Sequence, residues 1–293
     1  MPKRKKILIP GATGMLGHKL LQKLSGQFQV WGTVRGDITK YREYPALKDA
    51  ALIPDAIAED MNSVARSLDL VRPDVVVNCI GVIKQLDEAR NPLVAIRLNA
   101  MLPHQLAELC RERGIRFIHF STDCVFSGRQ GCYSEQDVPD PDDLYGRSKL
   151  LGEVEGPNVL TLRTSIIGHE LVSAVSLVDW FLSQTGRIKG YACAIYSGFP
   201  TVEMARILAD VVIPNSSLNG IYHVSSQPIS KFELLTAIAK KYGKEIEIIR
   251  DDEVKIDRSL DSTRFSQATG YIAPRWDELI IEMHRDYLAA QSR

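Results

Sequence analysis

The sequence predicts an α/β fold, a doubly wound parallel sheet with helices on both faces and a smaller α/β lobe interleaved with it. Three observations carry this. Continuous apolar runs alternate with helical patterns, as strands covered on both faces require. The first run ends in a glycine turn that opens a helix, and beyond residue 165 the regular alternation weakens.

Lys6-Ile7-Leu8-Ile9 is the first strand, and Gly11-Ala12-Thr13-Gly14-Met15-Leu16-Gly17 leads from it into an amphipathic helix. Gly11 permits a tight turn, Gly14 lets backbone approach a pyrophosphate, and Gly17 allows close helix packing. The free amides at the helix start favour the anion. Phe28–Val34 is the second strand, and Asp74–Gly81 is a continuous apolar run bounded by Pro73 and Gly81. Val94–Arg113 is helical, with Leu98, Leu102, Leu106 and Leu109, and Gly114 ends it. Arg116–Ser121 and Asn158–Thr164 are further strands; Asn78, Thr122 and Asp123 fall at carboxyl ends, where such sheets bind ligands. Helical patterns at 173–185, 201–213 and 230–242 and a strand-like Gly220–Val224 follow. The expected organisation is a dinucleotide-binding domain over 1–165, with 201–225 returning to it and 166–293 mostly a substrate-binding lobe.

Composition bounds the chemistry. With 293 residues and 45% hydrophobic content the chain can build a substantial core. Its 36 basic and 36 acidic side chains cancel, so no overall field draws it to nucleic acid or an anionic membrane. No run approaches the roughly 20 apolar residues of a membrane span. The opening Met1-Pro2-Lys3-Arg4-Lys5-Lys6 lacks the apolar segment of a secretory signal, which predicts a cytoplasmic protein. Five cysteines, an odd number without a Cys-x-x-Cys pair, read as reduced thiols, and the scattered histidines predict no metal site.

The reacting group is read from Tyr145-Gly146-Arg147-Ser148-Lys149, whose phenol and ammonium share a helix face. A free phenol has a pKa of about 10, and a nearby lysine cation is expected to favour the phenolate. Tyr145 could then protonate a carbonyl oxygen as hydride reaches its carbon. A hydroxyl at Ser121 or Thr122 could hydrogen-bond the same oxygen.

These residues resemble the extended short-chain dehydrogenase/reductase superfamily, and within it the dTDP-4-dehydrorhamnose reductase-like sugar-nucleotide reductases. The resemblance rests on Gly11–Gly17, Ser-Thr-Asp-Cys-Val-Phe-Ser-Gly at 121–128, Tyr-Ser-Glu at 133–135, Tyr-Gly-Arg-Ser-Lys-Leu-Leu-Gly-Glu at 145–153 and Leu-Arg-Thr-Ser at 162–165. It implies a Rossmann-type fold in which Gly11, Thr13, Gly14, Met15, Leu16 and Gly17 line the pyrophosphate. Asp60 and Met61 would border the adenine, and Asn78, Gly81 and Ser121 would shape the cofactor floor. Asn99 would support the site, and Thr122, Tyr145 and Lys149 would be catalytic, Lys149 also holding the nicotinamide ribose.

At the end of the second strand, Arg35 favours pairing with the 2'-phosphate of NADP(H), while Asp37 leaves NAD(H) open. Lys84, Gln85, Asp123 and Arg258 are the expected substrate contacts, Arg258 toward the phosphates of a nucleotide sugar. The reading is an NADPH-dependent reductase of a nucleotide-linked 4-keto-6-deoxysugar, serving deoxysugar donor and polysaccharide biosynthesis; a homodimer is compatible with it. An epimerase or dehydratase of the same superfamily competes, although Thr122-Asp123-Cys124 lacks the acidic pair that dehydratases present. A regulatory subunit resembling the non-catalytic beta subunit of methionine adenosyltransferase is the alternative from another class.

Overall fold

The computed structural model describes residues 4–83 and 91–291. Its main sheet contains β1 (Lys6–Ile9), β2 (Gln29–Thr33), β3 (Ala51–Ile53), β4 (Val75–Asn78), β5 (Arg116–Thr122) and β6 (Val159–Thr164), joined late in the chain by Gly220–His223. From one edge the order is Gly220–His223, β6, β5, β4, β1, β2, β3, and every neighbouring pair is parallel. Winding reverses between β1 and β4, so the ends of these two strands open the crevice where this architecture takes ligands.

Burial explains why the central runs read as uninterrupted hydrophobic stretches. All residues of β4 and β6 are buried. Alternate residues serve opposite faces: Ile7, Ile9, Val75, Val77 and Ile118 enter one apolar cluster, and Leu8, Val76 and Phe117 enter the other. The edge strand β3 is absent from the sequence reading. It has three residues, of which only Ile53 is buried, too little to leave a periodic signal.

Helices cover both faces. α1 (Met15–Leu24) follows β1, and α2 (Met61–Val71) starts at Asp60, whose carboxylate accepts the Asn62 amide at 3.0 Å. The predicted helix over 94–113 is interrupted. α3 (Pro92–Ala95) gives way to a π-helical stretch, Ile96–Met101, and then α4 (Leu102–Glu112). Pro103 has no N–H to return to the Asn99 carbonyl, and the wider turn takes up that defect. α5 (Leu144–Leu151) is capped by Asp143, which accepts the Gly146 amide at 2.8 Å.

The second lobe is built from Ala194–Tyr196 between Ile229–Ser230 and Ile256–Asp257, from the pair Arg187–Tyr191 and Glu247–Asp251, and from Leu177–Ser183, Lys231–Tyr242 and Thr263–Thr269. Thr201–Ile207 packs on α1, and Trp276–Gln291 packs on Thr201–Ile207. Asp286 ties the last helix to α1 through Lys19 and, at 2.6 Å, Lys23. Among the described residues no helix is long and apolar enough to cross a membrane.

Candidate active site

The glycine turn is shaped as the sequence requires. Gly11 has φ +81°, and a side chain there would meet the Cys79 carbonyl carbon at 2.8 Å. At Gly17 a Cβ would lie 2.1 Å from the Gly11 carbonyl oxygen, so α1 rides directly on the turn. Gly14 is the N-cap residue of α1, with no side chain to occupy the first amides, and these are the groups that hold an anion. The bed therefore fits a pyrophosphate. Thr13 and Met15 are half-buried beside it, but Leu16 packs into the core, so only its backbone can serve.

At the end of β2, Arg35 is exposed and 3.8 Å from Glu59. Asp37 is committed locally, accepting from the Thr39 amide at 3.0 Å and the Thr39 hydroxyl at 2.9 Å, bonds that hold its carboxyl below the usual range. Asp60 serves as the N-cap of α2, with half-buried Met61 next to it. Lys84 and Gln85 lie outside the described residues.

Two asparagines brace the crevice from below. Asn78, at the end of β4, accepts the Ile80 amide at 3.0 Å and turns its NH2 group to His119 at 3.2 Å. Asn99 is 1% exposed; it clamps the Val82 amide at 2.9 Å and carbonyl at 3.1 Å, and donates to Ser148 of α5 at 3.2 Å. The π-helical stretch thus points Asn99 into the protein, joining the loop after β4 to the helix that carries Tyr145. Gly81 lies against its side-chain oxygen.

The β5 end sorts the two predicted hydroxyls by pleat. Thr122 donates to Asp123 at 3.0 Å, accepts the Cys124 amide at 3.1 Å and lies on the Tyr145 side, where its hydroxyl favours the phenolate. Ser121 points the other way, donating to Glu153 at 2.6 Å within a buried ion pair with Arg163. Its hydroxyl belongs to that pair, and Thr122 alone of the two faces Tyr145.

Tyr145 and Lys149 are arranged differently from the simple helix-face expectation. The Lys149 amine donates to the Phe120 carbonyl at 2.6 Å and lies 3.5 Å from His119 Nε2. Burial lowers its pKa to about 8, against the opposing pull of Glu153 and Cys79. Burial also pushes the Tyr145 phenol above its ordinary value, aided by Cys124 and Asp123 and opposed by the Thr122 hydroxyl. The spacing predicts a phenolate favoured by a lysine cation. In this geometry desolvation outweighs any such attraction, leaving a phenol that holds its proton and can donate it.

The far side of the site comes from Asp123 and the second lobe. Asp123 is buried, and desolvation raises its carboxyl while Thr122, Arg258 and Lys231 pull it down. Arg258 reaches across from the second lobe, donating to the Phe126 carbonyl at 2.8 Å and approaching Cys124 Sγ at 3.8 Å. Lys231, whose charge acts on Asp123, went unread in the sequence, as did His119 and the pairing of Glu153 with Arg163; the buried Tyr196 also interacts with Asp123. No short motif marks Lys231 or His119, and the motifs at 145–153 and 162–165 contain Glu153 and Arg163 without marking their pairing, which long-range folding assembles. Among the described residues no cluster of His, Cys, Asp or Glu could hold a metal ion.

Comparison with known proteins places this geometry in context. The model of the RmlD substrate binding domain family matches residues 5–288. The "Probable low-salt glycan biosynthesis reductase Agl14" of Haloferax volcanii is 35% identical over 264 residues, 86% of this chain and 83% of that protein. Methionine adenosyltransferase 2 subunit beta of Danio rerio is 30% identical over 253 residues, 82% of this chain and 74% of that protein. The crystal structure of dTDP-4-dehydrorhamnose reductase from Bacillus anthracis in complex with NADP superposes with a TM-score of 0.77 at 21% identity, covering 97% of this chain and 99% of that one.

Proposed function

The chain belongs to the RmlD substrate binding domain family, the dTDP-4-dehydrorhamnose reductase-like branch of the extended short-chain dehydrogenases, and we propose that it is an NADPH-dependent reductase of a nucleotide-linked 4-keto-6-deoxysugar. The observation that carries this is the packing of α5, which carries Tyr145, against the β5 end that carries Thr122, with a desolvated phenol that keeps its proton. A protonated phenol next to a second hydroxyl is a proton donor with a neighbour able to orient the same carbonyl oxygen, as reduction of a ketone requires.

Gly11, Gly14 and Gly17, with the first amides of α1, would hold the dinucleotide's pyrophosphate, and Arg35 its 2'-phosphate. The exposure of Arg35 and the local engagement of Asp37 support NADP(H) over NAD(H). Bound there, reduced nicotinamide supplies a hydride. Tyr145 gives its proton to the carbonyl oxygen, Thr122 orients that oxygen, and Lys149 holds the nicotinamide ribose. Asp123 and Arg258 line the sugar-nucleotide side, Arg258 facing the phosphates. We place the dinucleotide domain at 1–165 with 201–225 returning to it. Glycan biosynthesis, named for the Haloferax volcanii relative, is the process such a product would feed.

A second reading is favoured by the Danio rerio relative, a named subunit of methionine adenosyltransferase: a nucleotide-binding regulatory module. Loss of NADPH absorbance on adding a panel of nucleotide-linked ketosugars separates the two. Turnover matched by stoichiometric cofactor oxidation supports the reductase; tight NADPH binding with no oxidation across the panel overturns it in favour of the module.

A further inference from the structure

A buried polar chain runs beneath the crevice from Asn78 through His119 to Lys149. Asn78 and His119 are register partners on β4 and β5, and Lys149 reaches down to β5 from α5. The orientation of Asn78 is fixed by its own neighbourhood. Its oxygen accepts the Ile80 amide at 3.0 Å, so the NH2 end is the one that faces His119 Nδ1 at 3.2 Å. An amide NH2 only donates, so Nδ1 must supply a lone pair. The ring is 1% exposed, and burial, then the Lys149 charge, keep it neutral. Its single proton therefore sits on Nε2, the nitrogen 3.5 Å from the Lys149 amine.

An N–H directed at an amine attracts the neutral amine's lone pair and repels the ammonium. We infer that His119, its tautomer fixed by Asn78, is a positioning residue that presents an N–H to Lys149 and sets the proton affinity of that amine.

The other groups around Lys149 do not reproduce this effect. Glu153, just past the end of α5, favours the ammonium, but its carboxylate is shared with Arg163 and Ser121. Cys79, after β4, is half-buried, and desolvation raises its thiol, which is therefore uncharged near neutrality. The Phe120 carbonyl accepts from either form of the amine. His104, from α4, bears on the His119 ring and disfavours its charging further. His119 is thus the neighbour whose hydrogen position decides which form of Lys149 is welcome. The catalytic consequence rests on the role proposed for Lys149; the tautomer and the titration do not.

Both are measurable without turnover. Long-range proton–nitrogen NMR of histidine-labelled protein at neutral pH should show His119 protonated on Nε2 and bare on Nδ1; a proton on Nδ1 overturns the inference. The Lys149 titration is followed with a carbon-13 label at lysine Cε and assigned with Lys149→Arg. Asn78→Asp accepts a hydrogen bond from Nδ1–H, moves the ring to the other tautomer and turns Nε2 into an acceptor for the ammonium. It should raise the Lys149 midpoint by about half a pH unit or more beyond the rise it causes in a His119→Phe background, where its charge acts without the relay. Equal rises in the two backgrounds overturn the inference. Absence of reductase activity would sink the proposed function while leaving both readouts intact.

Discussion

Arg163 and Glu153 close a bidentate ion pair beneath the ends of β5 and β6, with contacts of 2.8 and 2.7 Å and both side chains 5% exposed. Ser121 donates to the same carboxylate, and the guanidinium also reaches His223 Nε2 at 3.2 Å. A charge so deeply placed is tolerated only with its partner present. Glu153→Ala is therefore expected to lower stability by about 3–5 kcal/mol, because it strands the Arg163 cation. Urea unfolding checks this. The double replacement Glu153→Leu with Arg163→Met should recover much of the loss, and a double variant as unstable as the single one would show that hydrogen bonds, not the stranded charge, set the cost.

The buried histidines define an acid limit. His18 and His223 are both lowered to about 4, chiefly by burial, and burial also holds His119 well below its ordinary value. In the unfolded chain each would take a proton near 6.5. The unfolded state thus binds more protons between about pH 6.5 and 4, and stability falls as pH drops through that window. Each histidine contributes a slope of about 1.4 kcal/mol per pH unit where its unfolded form is charged and its folded form is not. Chemical denaturation at a series of pH values should show this decline, and His223→Gln should flatten it. A stability flat from pH 7 to 4 would contradict the burial argument.

Proton transfer gives the sharpest functional test. Tyr145→Phe keeps the ring but removes the donor, and turnover should drop by a factor on the order of 10² or more with NADPH affinity little changed. Thr122→Val should also lower kcat, by removing the hydroxyl proposed to orient the carbonyl oxygen. The basic limb of the pH profile is expected to follow Lys149, which burial lowers to about 8: as pH rises through that value the ammonium is lost, and activity that depends on it should decline. Steady-state rates across the range read out both effects. A Tyr145→Phe enzyme with undiminished kcat would remove the phenol from the chemistry.

The parts legible in the sequence are those in which function and local structure share one short segment. The glycine turn, the Tyr145–Lys149 helix and the runs of β1, β4, β5 and β6 each announce themselves within a dozen residues. The illegible parts depend on burial or on distant partners. Nothing local distinguishes Ser121 from Thr122; only the pleat sends one to Glu153 and the other to Tyr145. Helix spacing brings Tyr145 and Lys149 to one face but says nothing of desolvation, which reverses the expected direction of the phenol's shift. Asn99 reads equally well as a solvated helix residue until the π-helical stretch turns it inward. Asp123, Arg258, Lys231 and Tyr196 meet only because the second lobe folds back across the crevice.

Cofactor choice turns on the end of β2. Arg35 is exposed and bound only loosely to Glu59, at 3.8 Å, so its guanidinium is free to leave for a phosphate at little cost. Asp37, the residue that could accept from a ribose hydroxyl, is already used by Thr39. Arg35→Ala should therefore weaken NADPH binding by about tenfold while leaving NADH binding within a factor of about two, since a charge-assisted contact to phosphate contributes about 1.5 kcal/mol or more. Fluorescence titration of both reduced cofactors measures the ratio. Equal losses for the two would return Arg35 to an ordinary surface charge, and the 2'-phosphate would then have to be held elsewhere in the crevice.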